Sequence, residues 1–225
     1  MFLGGYQKVS LIDFPGLVAS VVFLRGCDFM CPYCHNPELI SMEGNVVLEE
    51  EFFSMLLKNR RMLDGVCVSG GEPCLQPALP EFLSKLKDLG FKIKLDTNGS
   101  EPDMLAFVLR KGLVDYVAMD VKSSWKNYPL VTHRKHAAVN AKKSLAILGD
   151  SGIDHEFRTT IFPGVHTIDD FISIAGYLRN GSKYFIQNIK REKTLTEITA
   201  ESDLFAKDIA EKLESRFPNL LIGNR

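Results

Sequence analysis

Three cysteines lie within eight residues of one another and carry the clearest chemical signal of the sequence. Cys27, Cys31 and Cys34 have the spacing C-x₃-C-x₂-C, in a loop directly after an apolar segment. Thiolates at this spacing can bind one soft metal centre, and in a reducing compartment clustered cysteines favour metal binding or catalysis over disulfides. Ordinary ferredoxin clusters have four cysteine ligands, so three would leave one iron of a 4Fe–4S cluster open to a substrate or cofactor.

Zinc is the main alternative at this loop, with His35 as a fourth ligand. Adjacent Cys34 and His35 would be an awkward pair for one tetrahedral ion, however. The remaining cysteines, Cys67 and Cys74, fit no cluster spacing. We interpret them as small buried residues, because free cysteine is commonly buried.

Other chemically capable side chains come at or near the ends of predicted strands. Two adjacent glycines allow a backbone to approach a ligand closely, and the carboxylate that follows them could hold an ammonium group. Each of these residues also has an ordinary interpretation as a turn, a cap or an ion pair. Together they predict a ligand site, with candidates Gly70, Gly71, Glu72, Asp96, Asn98, Asp120, Lys122, Arg158 and Gln187.

The elements that must position these residues alternate along the chain. The patterns predict strands over 18–24, 65–69, 91–96, 114–121, 153–161 and 184–189, and helices over 49–63, 77–89, 100–112, 136–148, from Thr167, and over 203–217. Six βα units imply a parallel sheet with right-handed crossovers. The pattern alone leaves open a doubly wound sheet or an open partial barrel, and in either case ligands bind beyond the carboxyl ends of the strands.

Composition describes an ordinary globular protein. The 225 residues contain 27 Lys and Arg against 28 Asp and Glu, and 45% are hydrophobic. This balance provides no overall attraction to nucleic acid or to an anionic membrane. The longest apolar run, 17–24, is far shorter than the roughly 20 residues of a membrane helix, and residues 1–8 do not resemble a signal peptide. We therefore expect a cytoplasmic protein that binds neither nucleic acid nor membrane.

The cysteine loop, with Tyr33 just before its third cysteine, and the Gly-Gly-Glu-Pro turn together resemble the radical S-adenosylmethionine (radical SAM) superfamily. More narrowly, residues 10–16 (SLIDFPG) and 34–37 (CHNP) are similar to glycyl-radical-enzyme activases, most of all the group that activates anaerobic ribonucleoside-triphosphate reductase. The resemblance implies an α/β partial (β/α)₆ barrel, open on one side. It implies one such domain over 17–225, with an N-terminal extension over 1–16 packed on it.

The resemblance also implies roles for individual residues. Cys27, Cys31 and Cys34 would hold one 4Fe–4S cluster, whose open iron would chelate the amino and carboxylate groups of S-adenosylmethionine. Tyr33 would lie near the adenine, and Gly70, Gly71 and Glu72 would contact the methionine amino group. The carboxylate and ribose would be surrounded by Asp96, Asn98, Asp120, Lys122 and Arg158, with Gln187 facing the cofactor. A monovalent cation is a further candidate, with oxygen ligands from Asp96, Thr97 and Asp120.

The implied reaction is reductive cleavage of S-adenosylmethionine to methionine and a 5′-deoxyadenosyl radical, which takes a hydrogen atom from a glycine Cα of a partner glycyl radical enzyme. An electron donor such as flavodoxin or ferredoxin would supply the electron. The cofactor would carry the difficult chemistry, and the protein would orient it and exclude side reactions.

Two other functions stay open at this stage. The first is a radical enzyme acting on a small molecule, similar to 7-carboxy-7-deazaguanine synthase, although the Cys-His-Asn-Pro segment argues against it. The second is a non-enzymatic iron–sulfur or zinc module, which would leave the strand-end residues unexplained. The basic stretch 190–193 (KREK) is interpreted as a solvated loop, with a docking patch for partner or reductant as the alternative.

Overall fold

The computed structural model describes residues 1–190, 192–199 and 204–225. Its strands are β1 (Leu3–Ser10), β2 (Ala19–Leu24), β3 (Gly65–Gly70), β4 (Lys92–Thr97), β5 (Tyr116–Asp120), β6 (Asp154–Thr160), β7 (Lys183–Gln187) and β8 (Leu221–Asn224). Its α-helices are α1 (Glu49–Lys58), α2 (Leu79–Asp88), α3 (Pro102–Arg110), α4 (Tyr128–Thr132), α5 (Ala137–Asp150), α6 (Ile168–Ala175) and α7 (Ala206–Arg216). Short 3₁₀ helices cover Pro37–Leu39 and Pro73–Leu75.

The strands form one sheet in chain order, from β1 at one edge to β8 at the other, so the sheet does not close on itself. β1 runs antiparallel to β2, whereas β2–β3, β3–β4, β6–β7 and β7–β8 are parallel pairs. The buried apolar runs of β2 and β3 are typical of parallel strands covered on both faces. All six predicted strands are present.

Several helices begin or end at residues other than those predicted from the sequence. The helix predicted over 49–63 ends at Lys58, where Asn59 caps it by donating to carbonyl groups of the last turn. The last helix begins at Ala206, and the predicted start at Asp203 lies outside the described residues. Strands β1 and β8 and the short helix α4 were not predicted. The predicted helix start at Thr167 is confirmed, and the structure shows a capping box there, since Thr167 and Asp170 satisfy each other's backbone N–H groups.

The chain divides into two compact units. Unit 1 comprises Met1–Asp28, Glu38–Thr97 and Asp103–Val117, and unit 2 comprises Phe29–Pro37, Asn98–Pro102 and Ala118–Arg225. Within unit 1, Phe52 of α1 and Phe82 of α2 are fully buried and stack with ring centroids 6.2 Å apart. Within unit 2, the hydroxyl of buried Tyr184 donates to Thr159 Oγ1 at 2.9 Å. Of the helices in the described residues, none is long and apolar enough to cross a membrane.

Candidate active site

The cysteine loop follows β2 and is closed at its base by backbone hydrogen bonds within unit 1. The Gly26 N–H donates to the Leu39 carbonyl at 2.7 Å, and the Cys27 N–H donates to the Ile40 carbonyl at 2.9 Å. Buried Arg25 strengthens this closure, because its guanidinium donates to the Glu38 carbonyl at 2.7 Å. The two ends of the loop are therefore fixed by the fold itself.

The second and third cysteines of the loop lie in unit 2. The Cys34 N–H donates to the Cys31 carbonyl at 2.9 Å, which forms a tight turn between them. The loop backbone is also anchored by Met30 N–H, which donates to the Thr132 carbonyl at 3.1 Å. Cys31 is buried, Cys27 and Cys34 are partly exposed, and none of the three forms a disulfide.

The donor set of this loop suits an iron–sulfur cluster. In the described parts of the chain, no three His, Cys, Asp or Glu side chains converge in the way that ligands of a single metal ion do. The requirement of a cubane cluster is different, because each cysteine binds a different iron atom. Three cysteine thiols outside any disulfide, on a loop with a fixed base, satisfy that requirement chemically.

His35, the fourth ligand in the zinc alternative, contacts the protein backbone in this structure. Its ring hydrogen bonds to the backbone of Glu192. Burial lowers the pKa of His35 below its usual value, and the nearby Lys190 and Lys122 lower it further.

The Gly-Gly-Glu turn packs directly against the backbone that leads into the cysteine loop. Gly70 has φ +117°, and a Cβ there would lie 2.3 Å from the Leu24 nitrogen. A Cβ on Gly71 would lie 2.2 Å from the Gly26 carbonyl oxygen. Glycine is required at both positions, because backbone atoms cannot move aside as a flexible side chain can. The Glu72 N–H then donates to the Gly26 carbonyl at 2.7 Å.

The Glu72 side chain is fully buried beside this turn. Its Oε1 accepts the Cys74 N–H at 3.0 Å, so it caps the 3₁₀ helix Pro73–Leu75, and it accepts the Thr97 hydroxyl at 2.7 Å. These contacts fix the orientation of the carboxylate. Cys67 and Cys74, predicted to be small buried residues, are both buried.

Asp96 ends β4 in unit 1 and is held by two neighbouring side chains. Lys94 forms an ion pair with Asp96 Oδ1, and the Ser69 hydroxyl donates to Oδ2 at 3.2 Å. Lys94 is 2% exposed, and its ammonium also contacts Cys67 Sγ at 3.7 Å. Lys94 was not predicted as a site residue, although its place two residues before Asp96 puts both on one face of the strand.

In unit 2, Asn98 belongs to the turn that leads towards α3. Its Oδ1 accepts the Ser100 N–H at 2.8 Å. The turn is tied to α5, because Ser144 Oγ donates to the Gly99 carbonyl and Asn140 Nδ2 donates to the Ser100 carbonyl, each at 2.8 Å. Asn98 thus has a structural role that fixes its position.

Asp120, Lys122 and Arg158 form the charged cluster of unit 2. Arg158 Nε donates to Asp120 Oδ1 at 2.7 Å, and Lys122 Nζ donates to Oδ2 at 3.0 Å. Burial opposes ionisation of Asp120, but the attraction of Arg158 and then of Lys122 outweighs it and holds the Asp120 pKa well below its usual range. Burial would lower the Lys122 pKa, yet Asp120 raises it well above the ordinary lysine value. Two cations against one carboxylate leave a net positive charge that favours an anionic ligand group.

Tyr33 and Gln187 complete the predicted residues of unit 2. Tyr33 is buried, its ring lies 5.2 Å from that of Phe162, and its hydroxyl donates to the Lys122 carbonyl at 3.4 Å. Burial raises the Tyr33 pKa well above its usual value. Gln187 ends β7, and its Oε1 accepts the Thr160 hydroxyl at 3.5 Å.

Buried His166 also lies in this part of unit 2 and was not singled out from the sequence. Its Nδ1 accepts the Phe162 N–H at 3.0 Å. Burial lowers the pKa of His166 to about 4, although Asp170 opposes that change. A lone histidine in a sequence gives no sign of such an environment.

Comparison with known protein families matches residues 21–178 to the model of the radical SAM superfamily. This match includes the cysteine loop and most of the βα units. The chain belongs to the radical SAM superfamily. Membership implies that a 4Fe–4S cluster and S-adenosylmethionine are the cofactors of this radical SAM protein, in agreement with the donor set of its loop.

Similar curated proteins show which group within the radical SAM superfamily this chain resembles. The radical SAM protein is 32% identical over 200 residues to a Methanocaldococcus jannaschii protein named, provisionally, as a glycyl-radical enzyme activating enzyme, covering 87% of this chain and 82% of the relative. It is 36% identical over 122 residues to the pyruvate formate-lyase-activating enzyme of Clostridium pasteurianum, covering 52% of this chain and 50% of the relative. The predicted kinship with glycyl-radical-enzyme activating enzymes, which are radical SAM oxidoreductases, is confirmed.

Solved structures share the fold at low sequence identity. Streptococcus suis SuiB bound to S-adenosylmethionine has a TM-score of 0.71 and 13% identity, over 91% of this chain and 51% of SuiB. Methylornithine synthase (PylB) has a TM-score of 0.61 and 17% identity, over 90% of this chain and 63% of PylB. The predicted α/β fold of the radical SAM type, with an open sheet, is confirmed. The chain thus spans only about half of the Clostridium relative and of SuiB.

Proposed function

We propose that this radical SAM protein activates a glycyl radical enzyme, and that its target is an anaerobic ribonucleoside-triphosphate reductase. The observation that carries the activase function is the 32% identity to the archaeal activating enzyme over 87% of the chain. The choice of target is supported by the resemblance of the SLIDFPG and CHNP segments to activases of that reductase.

Cys27, Cys31 and Cys34 would hold the cluster, and the amino and carboxylate groups of S-adenosylmethionine would occupy its open iron. When bound and reduced by a donor such as flavodoxin or ferredoxin, these cofactors supply a one-electron cleavage that yields methionine and a 5′-deoxyadenosyl radical. The products would be 5′-deoxyadenosine and, on the partner, a radical at the glycine Cα that had lost a hydrogen atom. No acid or base is needed for that transfer.

Within unit 1, Gly70 and Gly71 would let the backbone approach the methionine part of the cofactor. Glu72, whose orientation is fixed by Cys74 and Thr97, would face the amino group. Asp96 would contribute to the surroundings of the carboxylate and ribose. The resemblance also predicts a monovalent cation at Asp96, Thr97 and Asp120, but both carboxylates pair with cationic side chains, so the cation is not part of this proposal.

Within unit 2, Lys122 and Arg158 would attract the cofactor carboxylate, because their cluster with Asp120 has a net positive charge. Asp120 would orient both cations through its hydrogen bonds. Tyr33 would pack near the adenine, Asn98 would lie near the ribose and carboxylate, and Gln187 would face the cofactor. These assignments rest on the family resemblance, residue by residue.

The partner surface would include the N-terminal segment up to Gly16. Leu11 and Ile12, at the tip of the β1–β2 connection, are 74% and 87% exposed. The turn that presents them is ordered by Ser10, whose hydroxyl accepts the N–H groups of Ile12 and Asp13. Exposed apolar side chains on a rigid turn suit protein recognition. The basic patch 190–193 stays a candidate docking site, and Arg191 lies outside the described residues.

A reducing cytoplasmic compartment belongs to this proposal, because the three thiols must remain reduced to bind iron. The overall charge of −1 provides no attraction to nucleic acid or membrane lipid, so neither is proposed as a partner.

The deciding experiment is electron paramagnetic resonance under anaerobic conditions. The reconstituted, reduced protein is mixed with S-adenosylmethionine and the anaerobic ribonucleotide reductase of the same organism. We expect a glycine-centred doublet that Cys31→Ala abolishes. Cys74→Ala is the matched control, since it removes a buried thiol outside the loop and should retain the doublet.

Other outcomes separate the alternatives. Formation of 5′-deoxyadenosine without a doublet would preserve radical chemistry but reject this reductase as the target, in favour of another glycyl radical enzyme or a small molecule. Absence of both products in the reduced, cluster-loaded protein would reject the enzymatic function. To test the partner surface, Ile12→Glu should reduce doublet formation about tenfold, while Val139→Glu, at an exposed position of α5, should not.

A further inference from the structure

Lys94 is a fully buried lysine that none of the cofactor roles above uses. It lies in β4 opposite Cys67 of β3, with only 2% of its surface exposed. Removing an ammonium group from water is costly unless a paired charge and hydrogen bonds compensate. The position is therefore occupied by lysine because of a specific partner, which the structure identifies as Asp96.

The ion pair and Ser69 together engage both oxygens of the Asp96 carboxylate. The Lys94 ammonium pairs with Oδ1, and the Ser69 hydroxyl donates to Oδ2 at 3.2 Å. A lysine ammonium is a compact single positive charge with three donors and no acceptor. In charge it is equivalent to one monovalent cation bound to this carboxylate.

A dissociable cation would meet an electrostatic obstacle at Asp96. It would add a second positive charge beside the Lys94 ammonium, and like charges repel strongly where little water screens them. The electrostatic requirement of Asp96 is thus met from within the chain.

We propose that Lys94 is a tethered counter-ion that fixes Asp96 at the end of β4, and that it does the work of a bound monovalent cation there. Lys94 is a positioning residue in this proposal, since it acts through Asp96. The ion pair itself is independent of the proposed function, which enters only in assigning Asp96 to the cofactor.

The test compares unfolding temperatures of the full-length, cluster-loaded protein, without S-adenosylmethionine, in potassium, sodium and choline chloride at equal ionic strength. The unmodified protein should unfold at the same temperature in all three salts. Lys94→Met should unfold about 10 °C lower in choline chloride, because the Asp96 carboxylate has lost its buried ion pair with Lys94. Potassium or sodium should restore about 4 °C by occupying the vacated position.

Two further variants keep the test decisive. Lys92 lies on the same strand and has an exposed side chain, so the unfolding temperature of Lys92→Met should be the same in all three salts. Lys94→Met combined with Asp96→Leu removes both charges, so it should fold even if the single variant does not, and should lack any cation effect.

Two results would overturn the proposal. One is an unmodified protein whose unfolding temperature is several degrees higher in potassium than in choline chloride, which would reveal a dissociable cation beside Lys94. The other is a Lys94→Met variant that keeps full stability or responds equally to all three salts. Loss of the glycyl radical in the activation assay would not imitate either result, because the unfolding measurement needs neither partner nor S-adenosylmethionine.

Discussion

Two lysine–aspartate pairs, one in each unit, use the same residues in opposite order. In unit 1, Lys94 comes two residues before Asp96, inside β4, and its side chain is 3% exposed. In unit 2, Lys122 comes two residues after Asp120, beyond the end of β5, and its side chain is 19% exposed. A lysine inside a parallel strand is enclosed by the sheet and its covering layers, whereas one beyond the strand end remains within reach of a ligand.

The two pairs also differ in net charge. Lys94 and Asp96 balance one another, whereas Asp120 is shared between Lys122 and Arg158 at 3.0 and 2.7 Å. The balanced pair stabilises the strand end, and the surplus charge of the cluster can attract a carboxylate. The two lysines therefore differ in role because of their burial and the charges around them, and not because of residue type. Lys94 supports the structure, whereas Lys122 is placed to bind a ligand.

The largest expected effect comes from removing the charge of Asp96, and the loss of the Asp120 charge gives the contrast. Asp96→Asn removes the carboxylate that pairs with the buried ammonium of Lys94, and it should lower the free energy of unfolding by about 3 kcal/mol. Asp120→Asn should cost about 1 kcal/mol, because Lys122 and Arg158 retain more contact with water. Urea unfolding of both variants measures the difference. Equal losses would contradict the contrast between the two pairs.

His166, in unit 2, should make the stability of the protein sensitive to acid. Its folded pKa of about 4 lies below the ordinary 6.5, so the unfolded chain binds a proton that the folded protein does not. Stability should therefore fall as pH drops from 6.5 to 4, by up to about 3 kcal/mol from this residue. His166→Asn keeps an acceptor for the Phe162 N–H and should lose less stability between pH 7 and 4.5. An identical loss in both proteins would reject this source of acid sensitivity.

Lys122→Met should affect binding more than stability. The variant removes one of two cations of the cluster, so we expect S-adenosylmethionine to bind about tenfold more weakly, with about 1 kcal/mol or less of lost stability. Calorimetric titration of the anaerobic, cluster-loaded protein gives the first quantity, and urea unfolding gives the second. Unchanged affinity would remove Lys122 from the proposed site.

The smallest effect is expected for Lys92→Met in β4. This lysine is 63% exposed and pairs with Asp115, which also pairs with Lys87. Losing one exposed pair should change the free energy of unfolding by about 0.5 kcal/mol or less. A loss as large as that of Asp96→Asn would mean that the strand, and not the buried pair, is sensitive to substitution.

The sequence was sufficient for the six central strands and for the residues at their ends, because apolar runs and turn residues are local signals. It was insufficient for β1, because two glycines and several polar residues do not give the pattern of a strand. The strand is stabilised by its pairing with β2. The four-residue β8 was missed for a similar reason, since its pairing with β7 is a non-local contact.

Lys94 shows a subtler failure of sequence reasoning. Lys92, Lys94 and Asp96 alternate in β4, which is the usual pattern of a strand face in water. The structure exposes Lys92 and buries Lys94. Only the covering layers of the folded sheet distinguish the two positions, and a single sequence does not report them.

The fixed base of the cysteine loop has a consequence for how the loop should respond to substitution. Hydrogen bonds from Gly26 and Cys27 to the chain at Leu39 and Ile40 tie the two ends of the loop together. Part of the entropy cost of closing this segment is therefore offset by backbone contacts, and it does not fall on metal–thiolate bonds alone. Replacing a cysteine of the loop should thus remove a cluster ligand while the base of the loop stays closed.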